Sequence, residues 1–369
     1  MVTETVEVAG GGAPRPAPDG PGWRRATTGR TWLVPVLGLT LLVSVFLAIG
    51  LGAAVVPPDR TAHHLWAALT GAGIRADEVT QYQIIWQIRT PRVLLAAVVG
   101  AGLAVVGSVL QSLVRNSLAD PYILGVSSGG SVGAVTVTLT GGLAGLGIHA
   151  VSAGAFLGAL GATVLVYAIA YGRSGITPLR LVLTGVALSF GFQAVMSVMI
   201  YFAPTGEATS MILFWTMGSF GAATWGSLPV VSVIVVLGLV LLHRFSRPLD
   251  AMALGDETAA SLGIDTSLLR RILFALTALM TGAMVAVSGT IGFVGLVVPH
   301  ITRILVGATH VRLLVISPFL GAILMVWVDL LARTVAAPRE LPLGALTALI
   351  GVPVFLLLMR RRGYVFGGR

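Results

Sequence analysis

From Thr31 onward the chain alternates between long apolar runs and short polar links. A helix crossing a ~30 Å hydrocarbon core needs about 20 apolar residues. By that rule spans fall at roughly 32–56, 91–114, 122–140, 150–172, 178–203, 229–246, 268–289, 291–306, 311–333 and 343–359. Glycines weaken the third, and Pro299, His300 and Arg303 interrupt the eighth. The amphipathic stretch 57–88 is expected to lie on the membrane surface. Residues 1–30, rich in Gly and Pro, predict a disordered tail. The first run, Thr31 to Val56, is too long and begins too late for a signal-peptide core, so it reads as a span. The pattern therefore predicts an all-α polytopic membrane protein of about ten transmembrane helices, with residues 31–369 as the membrane domain.

Composition agrees and narrows the chemistry. Only 10% of residues are charged, 56% are apolar and the mean hydropathy is +0.95. Cysteine is absent, which excludes disulfides, thiolate metal sites and a cysteine nucleophile. All 23 basic residues are arginine. Without lysine the chain holds no P-loop, so any ATP is bound by another chain. The pI near 11 does not indicate nucleic acid, because the charge is scattered between apolar runs rather than gathered in a patch with aromatics.

The arginines also orient the chain. With ten spans and both termini inside, seventeen of the 23 fall on the cytoplasmic side, which the positive-inside rule favours. Arg60, Arg75, Arg89, Arg92, Arg333 and Arg339 remain outside. Arg89 and Arg92 flank Pro91 at the mouth of the second span, where positive charge opposes the helix dipole. A short repeat is also present: GAGLAVVG (100–107) and GAMVAVSG (282–289) lie on spans of opposite direction. It reads either as a weak inverted repeat or as the recurrence of small residues in packed membrane helices.

Four segments stand out: RTPRVLLAAVVGAGLAVVGSVLQSLVRNSLADPYILG from Arg89, WTMGSFGAATW at 215–225, DAMALGDETAASLGID at 250–265, and GTIGFVGLVVPHITRILVG at 289–307 with its C-terminal continuation. They resemble the FecCD/BtuC-like permeases, membrane subunits of ABC importers for ferric siderophores, haem and cobalamin. R-x-P-R through R-N-x-L-A-x-P-x-x-L-G matches Arg89 to Gly125, F-V-G-L-x-x-P-H-x-x-R matches Phe293 to Arg303, and E-x-P-x-G-x-x-T-A-x-x-G-x-P-x-F matches Glu340 to Phe355. Ser117 replaces the family's usual proline, and Gly130 stands where alanine is common.

The resemblance implies a BtuC-like fold and a bacterial cytoplasmic-membrane location. Its implied partners are a cytoplasmic ABC ATPase dimer, an extracytoplasmic substrate-binding protein, a second permease subunit (a copy or a paralogue) and the surrounding lipid. No cofactor is implied for this chain, ATP being used by the ATPase, and the chain is expected to transport rather than catalyse. Arg89, Arg92 and Arg333 match positions that dock carboxylates of the binding protein. Arginine suits that role through its bidentate fork, although cations anchored at headgroups are the alternative, and Asp329 lies one turn from Arg333. Residues 249–266 resemble the cytoplasmic coupling helices, with Leu254, Gly255, Asp256, Glu257, Ala259, Ala260, Leu262 and Gly263 carrying the pattern.

The fifth span carries Thr184, Ser189, Gln193 and Met196 with no charge. In the family the matching helix lines the translocation path, and the same residues also suit helix–helix hydrogen bonding. His300 lacks a second ligand three or four residues away and has Arg303 beside it, so it reads as a packing residue and no metal site is expected. His63 and His64 read as solvated. Trp215 and Trp225 resemble a short outer helix near the pore mouth and also suit interfacial anchoring. The resemblance implies ferric-siderophore import, with cobalamin or haem as alternatives. An ion-coupled secondary transporter is the alternative of another class, and Asp329 is its single candidate carboxylate.

Overall fold

The computed structural model describes residues 32–121, 125–172, 175–203, 206, 209, 212 and 216–360. The expected disordered tail, Trp215, Arg173 and the last three arginines lie outside the described residues. The described chain is built from helices. These are α1 (Leu33–Gly50), α2 (Pro58–Thr70), α3 (Val79–Gln83), α4 (Thr90–Leu113), α5 (Val126–Thr140), α6 (Ala150–Ala170) and α7 (Pro178–Tyr201), followed by α8 (Leu228–Arg244), α9 (Ser246–Ala253), α10 (Asp256–Ser261), α11 (Thr266–Ser288), α12 (Val294–Val306), α13 (His310–Thr334) and α14 (Leu343–Arg360). A two-residue antiparallel pairing, Tyr171–Gly172 with Gly175–Ile176, closes the link between α6 and α7.

Helices occupy all ten predicted span positions, and among the described residues six are long and apolar enough to cross a membrane, or seven if the bent pair α8–α9 counts as one span. The shortfall has a geometric cause. At 1.5 Å per residue, the 15 residues of α5 and the 13 of α12 reach only about 20 Å. Helix α14 has 18 residues and an apolar run that continues to Met359, while α8 alone, with 17 residues, reaches about 25 Å. A second difference concerns 57–88. Residues 79–89 do not lie apart from the following helix; α3 and a π-helical turn, Ile84–Arg89, run straight into α4.

Pro91 accounts for that turn. It brings no N–H to the carbonyl of Trp86, five residues back, and π widening makes room for its ring. The indole of Trp225 donates to the freed carbonyl at 2.8 Å, with the two tryptophan rings 4.5 Å apart. Trp225 is thus tied to the protein itself.

Helix α4 is the hub, buried along nearly all its length. It runs antiparallel to α13, because Ser112 meets His310 at one end and Arg92 meets Asp329 at the other. Glycines permit close approach to two neighbours: a Cβ on Gly100 would strike the backbone carbonyl of Gly321 on α13, and one on Gly107 that of Gly295 on α12. The two copies of the repeat do run in opposite directions, since Arg115 and Arg270 share Asp256 while Gly102 abuts Met284 of α11. That abutment gives the shared small residues a packing role. A second tight pair, α5 and α6, meets through Gly129, Gly133, Gly154 and Gly158.

Candidate functional site

At one end of α4 the arginines form an internal clamp. Arg92 donates through Nε to Asp329 at 2.8 Å and grips both oxygens of Glu340 at 2.6 and 3.0 Å. Arg333 places Nε 3.2 Å from the other oxygen of Asp329 and donates to the carbonyl of Ala48. Arg89 donates to the carbonyls of Ile49, Gly50 and Ala54. Two guanidinium groups therefore cap the C-terminal end of α1, whose last carbonyls have no partner within their own helix and whose dipole favours a cation.

The clamp differs from the sequence expectation of outward-presented cations. Arg89, Arg92 and Arg333 are 6–8% exposed, Asp329 is fully buried, and their hydrogen bonds are made within the chain. Glu340, one-third exposed, is the member that reaches solvent. Sequence reading placed the arginines and Asp329 but missed Glu340, although it opens the C-terminal motif. Its partner lies 248 residues away, so no local spacing announces the pair.

At the opposite end α4 closes in a Schellman motif. Asn116 N–H donates to the carbonyl of Gln111, Arg115 N–H donates to that of Ser112, and Arg115 takes φ 51°. This turn aims Arg115 at Asp256, 2.5 Å away, where Arg270 also donates at 3.0 Å. Beside it Asp250 accepts from the backbone N–H of His310 at 2.8 Å and stands 2.6 Å from its Nδ1; Nε2 of the same ring is 2.5 Å from Ser112 Oγ. These contacts fasten α9 and α10 to α4, α11 and α13.

Within 254–263 the residues divide. Leu254, Glu257, Ala260, Leu262 and Gly263 are exposed, with Leu254 at 73% and Leu262 at 65%. Ala259 is fully buried and Asp256 is engaged by two arginines, so both hold the segment rather than present it. Gly255 (φ 127°) and Gly263 (φ 79°) adopt backbone conformations that L side chains rarely take, and they end α9 and α10 respectively.

Between the two ends lies a chamber in two lobes. One, of about 200 Å³, is lined by Ser128, Ser131, Ser189, Gln193 and Met196 among others. The other, of about 460 Å³, is mostly apolar and reaches Met217, Phe293 and Leu296. They adjoin at Thr216 and Thr290, where the Thr290 hydroxyl donates to the Thr216 carbonyl. Three of the four residues singled out on the fifth span thus share one wall. Thr184, half-buried nearer the start of α7, does not line it.

The histidines fall elsewhere. His300 is buried on α12, whose Arg303 donates to Gln111 of α4 at 2.5 Å. His63 is exposed as expected, but His64 is buried against Tyr82 rather than solvated, because it shares the inner face of α2 with Thr61 and Ala67.

Comparison with known proteins adds a family to this geometry. The profile of the FecCD transport family matches residues 40–361. The chain is 39% identical to the uncharacterized ABC transporter permease protein YvrB of Bacillus subtilis, over 89% of this chain and 93% of that one. It is 38% identical to the iron(3+)-hydroxamate import system permease protein FhuB of the same organism, over 92% and 85%. Other matching relatives are named for hemin transport in Yersinia pestis, vitamin B12 import in Klebsiella pneumoniae and molybdate import in Haemophilus influenzae. A solved structure described as an inward-facing conformation of a putative metal-chelate type ABC transporter superposes with a TM-score of 0.77 at 34% identity, covering 89% of this chain and 98% of that one. With the apolar helices and the clamp joining α1, α4 and α13, these matches lead to one conclusion: the chain belongs to the FecCD transport family, as a multi-pass permease subunit of an ABC transporter in the cytoplasmic membrane.

Proposed function

We propose that this permease imports a bulky metal chelate, of the ferric-siderophore class, by ATP-driven alternating access. The observation that carries the reading is the chamber: hydroxyls and one amide on α5 and α7 open onto a larger apolar lobe. The wall of the smaller lobe offers weak hydrogen bonds and, among the described residues, no charge, while the larger lobe carries a single carboxylate, Asp120. The relative named for iron(3+)-hydroxamate import supports this class, and relatives of equal identity named for hemin and vitamin B12 keep haem and cobalamin as the alternatives. A secondary transporter finds no support in Asp329, which two arginines already neutralise.

In this reading ten helices traverse or enter the membrane, both termini face the cytoplasm, and the Arg92 end is extracytoplasmic. The exposed face of 254–263 seats on a cytoplasmic ATPase dimer, which binds the ATP. A second permease subunit, identical or paralogous, covers the exposed apolar sides of α7 and α14. A substrate-binding protein docks at the Arg92 end. Arg89, Arg92 and Arg333 shape that surface from beneath, and Glu340 is the clamp member exposed enough to exchange partners with an arriving protein.

Uptake of radio-iron, supplied as ferric siderophore, in cells with and without this chain tests the proposal, with labelled cobalamin in parallel. Loss of iron uptake alone is the expected result. Loss of cobalamin uptake alone overturns the substrate, and unchanged uptake of both overturns siderophore and cobalamin import together.

A further inference from the structure

A groove that the transport path does not use opens on the flank of the bundle, between α6, α8 and α11. We propose that it binds one acyl chain of a phospholipid, in the leaflet at the Arg92 end, with the phosphate headgroup at His149. The groove holds about 360 Å³ and is polarised along its length. Its body is apolar, floored by Val231, Ala283 and Ala286 and walled by Phe156 and Ile234. Its mouth carries His149, Ser152 and Ser227, and among the described residues no carboxylate lines it.

Position selects the occupant. The mouth lies where α6 and α8 begin, next to Trp225, whose indole fastens it to Trp86 at the Arg92 end. The loop before α6 exposes Leu143, Leu146 and Ile148, the last at 84%, as a segment seated at the boundary of headgroups and chains does. From Ser227 to Ile234 the groove follows seven residues of helix, about 10 Å at 1.5 Å per residue. That is about two-thirds of one leaflet of a ~30 Å core. The depth fits the upper part of an acyl chain entering from the mouth. Imidazole and hydroxyl donors meet the phosphate oxygens, and the apolar floor excludes water from the chain below. The inference rests on the membrane-spanning reading but is independent of which chelate is carried.

Native mass spectrometry of the full chain tests it, after transfer from nanodiscs of phosphatidylglycerol, phosphatidylcholine and diacylglycerol into mild detergent. The wild type is expected to retain a phospholipid through delipidation. Val230→Trp, at the exposed rim, is expected to lower retention about tenfold, the equivalent of excluding two buried methylenes. His149→Ala, on an exposed side chain, is expected to reduce retention of phospholipid relative to diacylglycerol. Equal retention by wild type and Val230→Trp, or no retention by the wild type, overturns the groove as a lipid site. An unchanged ratio in His149→Ala overturns the headgroup assignment. Chelate uptake, measured separately, reports on the transport reading.

Discussion

Arg89 and Arg333 direct their charge to the same place, the carbonyl end of α1, and Arg92 secures the carboxylate between them and Glu340. Each buried cation therefore has an acceptor, and each partner left alone would be an uncompensated charge or an uncapped carbonyl. Asp329→Ala removes the one carboxylate that faces both Arg92 and Arg333 and is expected to destabilise the folded permease by about 3–5 kcal/mol. Glu340→Gln, at a one-third exposed position, is expected to cost only about 1 kcal/mol. Thermal unfolding of the detergent-solubilised protein separates the two, and equal midpoints contradict the clamp. Gly52→Ala serves as a third probe, because its Cβ would meet the Arg89 guanidinium at 2.6 Å.

At the scale of elements, helix contacts are decided by where side chains are missing. Gly107→Ala drives a methyl into a backbone carbonyl of Gly295 that no rotamer change relieves, whereas Gly73→Ala meets open space. Expression and thermal stability are expected to fall sharply for Gly107→Ala and to stay near wild type for Gly73→Ala; similar behaviour of the two contradicts the packing described. The α9–α10 segment carries a different expectation. Glu257→Arg alters an exposed residue, and Gly263→Leu forces a left-handed position, so both are expected to uncouple ATP hydrolysis from transport in the purified complex. Unchanged coupling contradicts that segment's role. Much of this scale is legible in the sequence. The apolar runs place the helices, and Gly255 and Gly263 mark the segment's breaks. The π-turn before Pro91 is not legible, because it depends on Trp225 supplying a donor from 139 residues away. Nor are the pairings of Arg92, since residues 237 and 248 positions apart share no local pattern. Span length is not legible for a related reason: hydropathy reports that α5 and α12 are apolar, while chain geometry decides how far they reach.

For the whole molecule, the clamp at one end and the Asp256 and Asp250 fastenings at the other tie the same helices, α4 and α13 among them, around a chamber that lies between them. The Asp256 fastening joins α10 to α11, which packs against α5, a wall of that chamber. The most direct test reconstitutes this chain in liposomes with its ATPase and binding protein and follows accumulation of radio-iron given as ferric siderophore. Accumulation is expected to require ATP and to be lost in Ser131→Trp, which fills the smaller lobe. Accumulation driven by a proton gradient without ATP, or full transport by Ser131→Trp, would contradict the account.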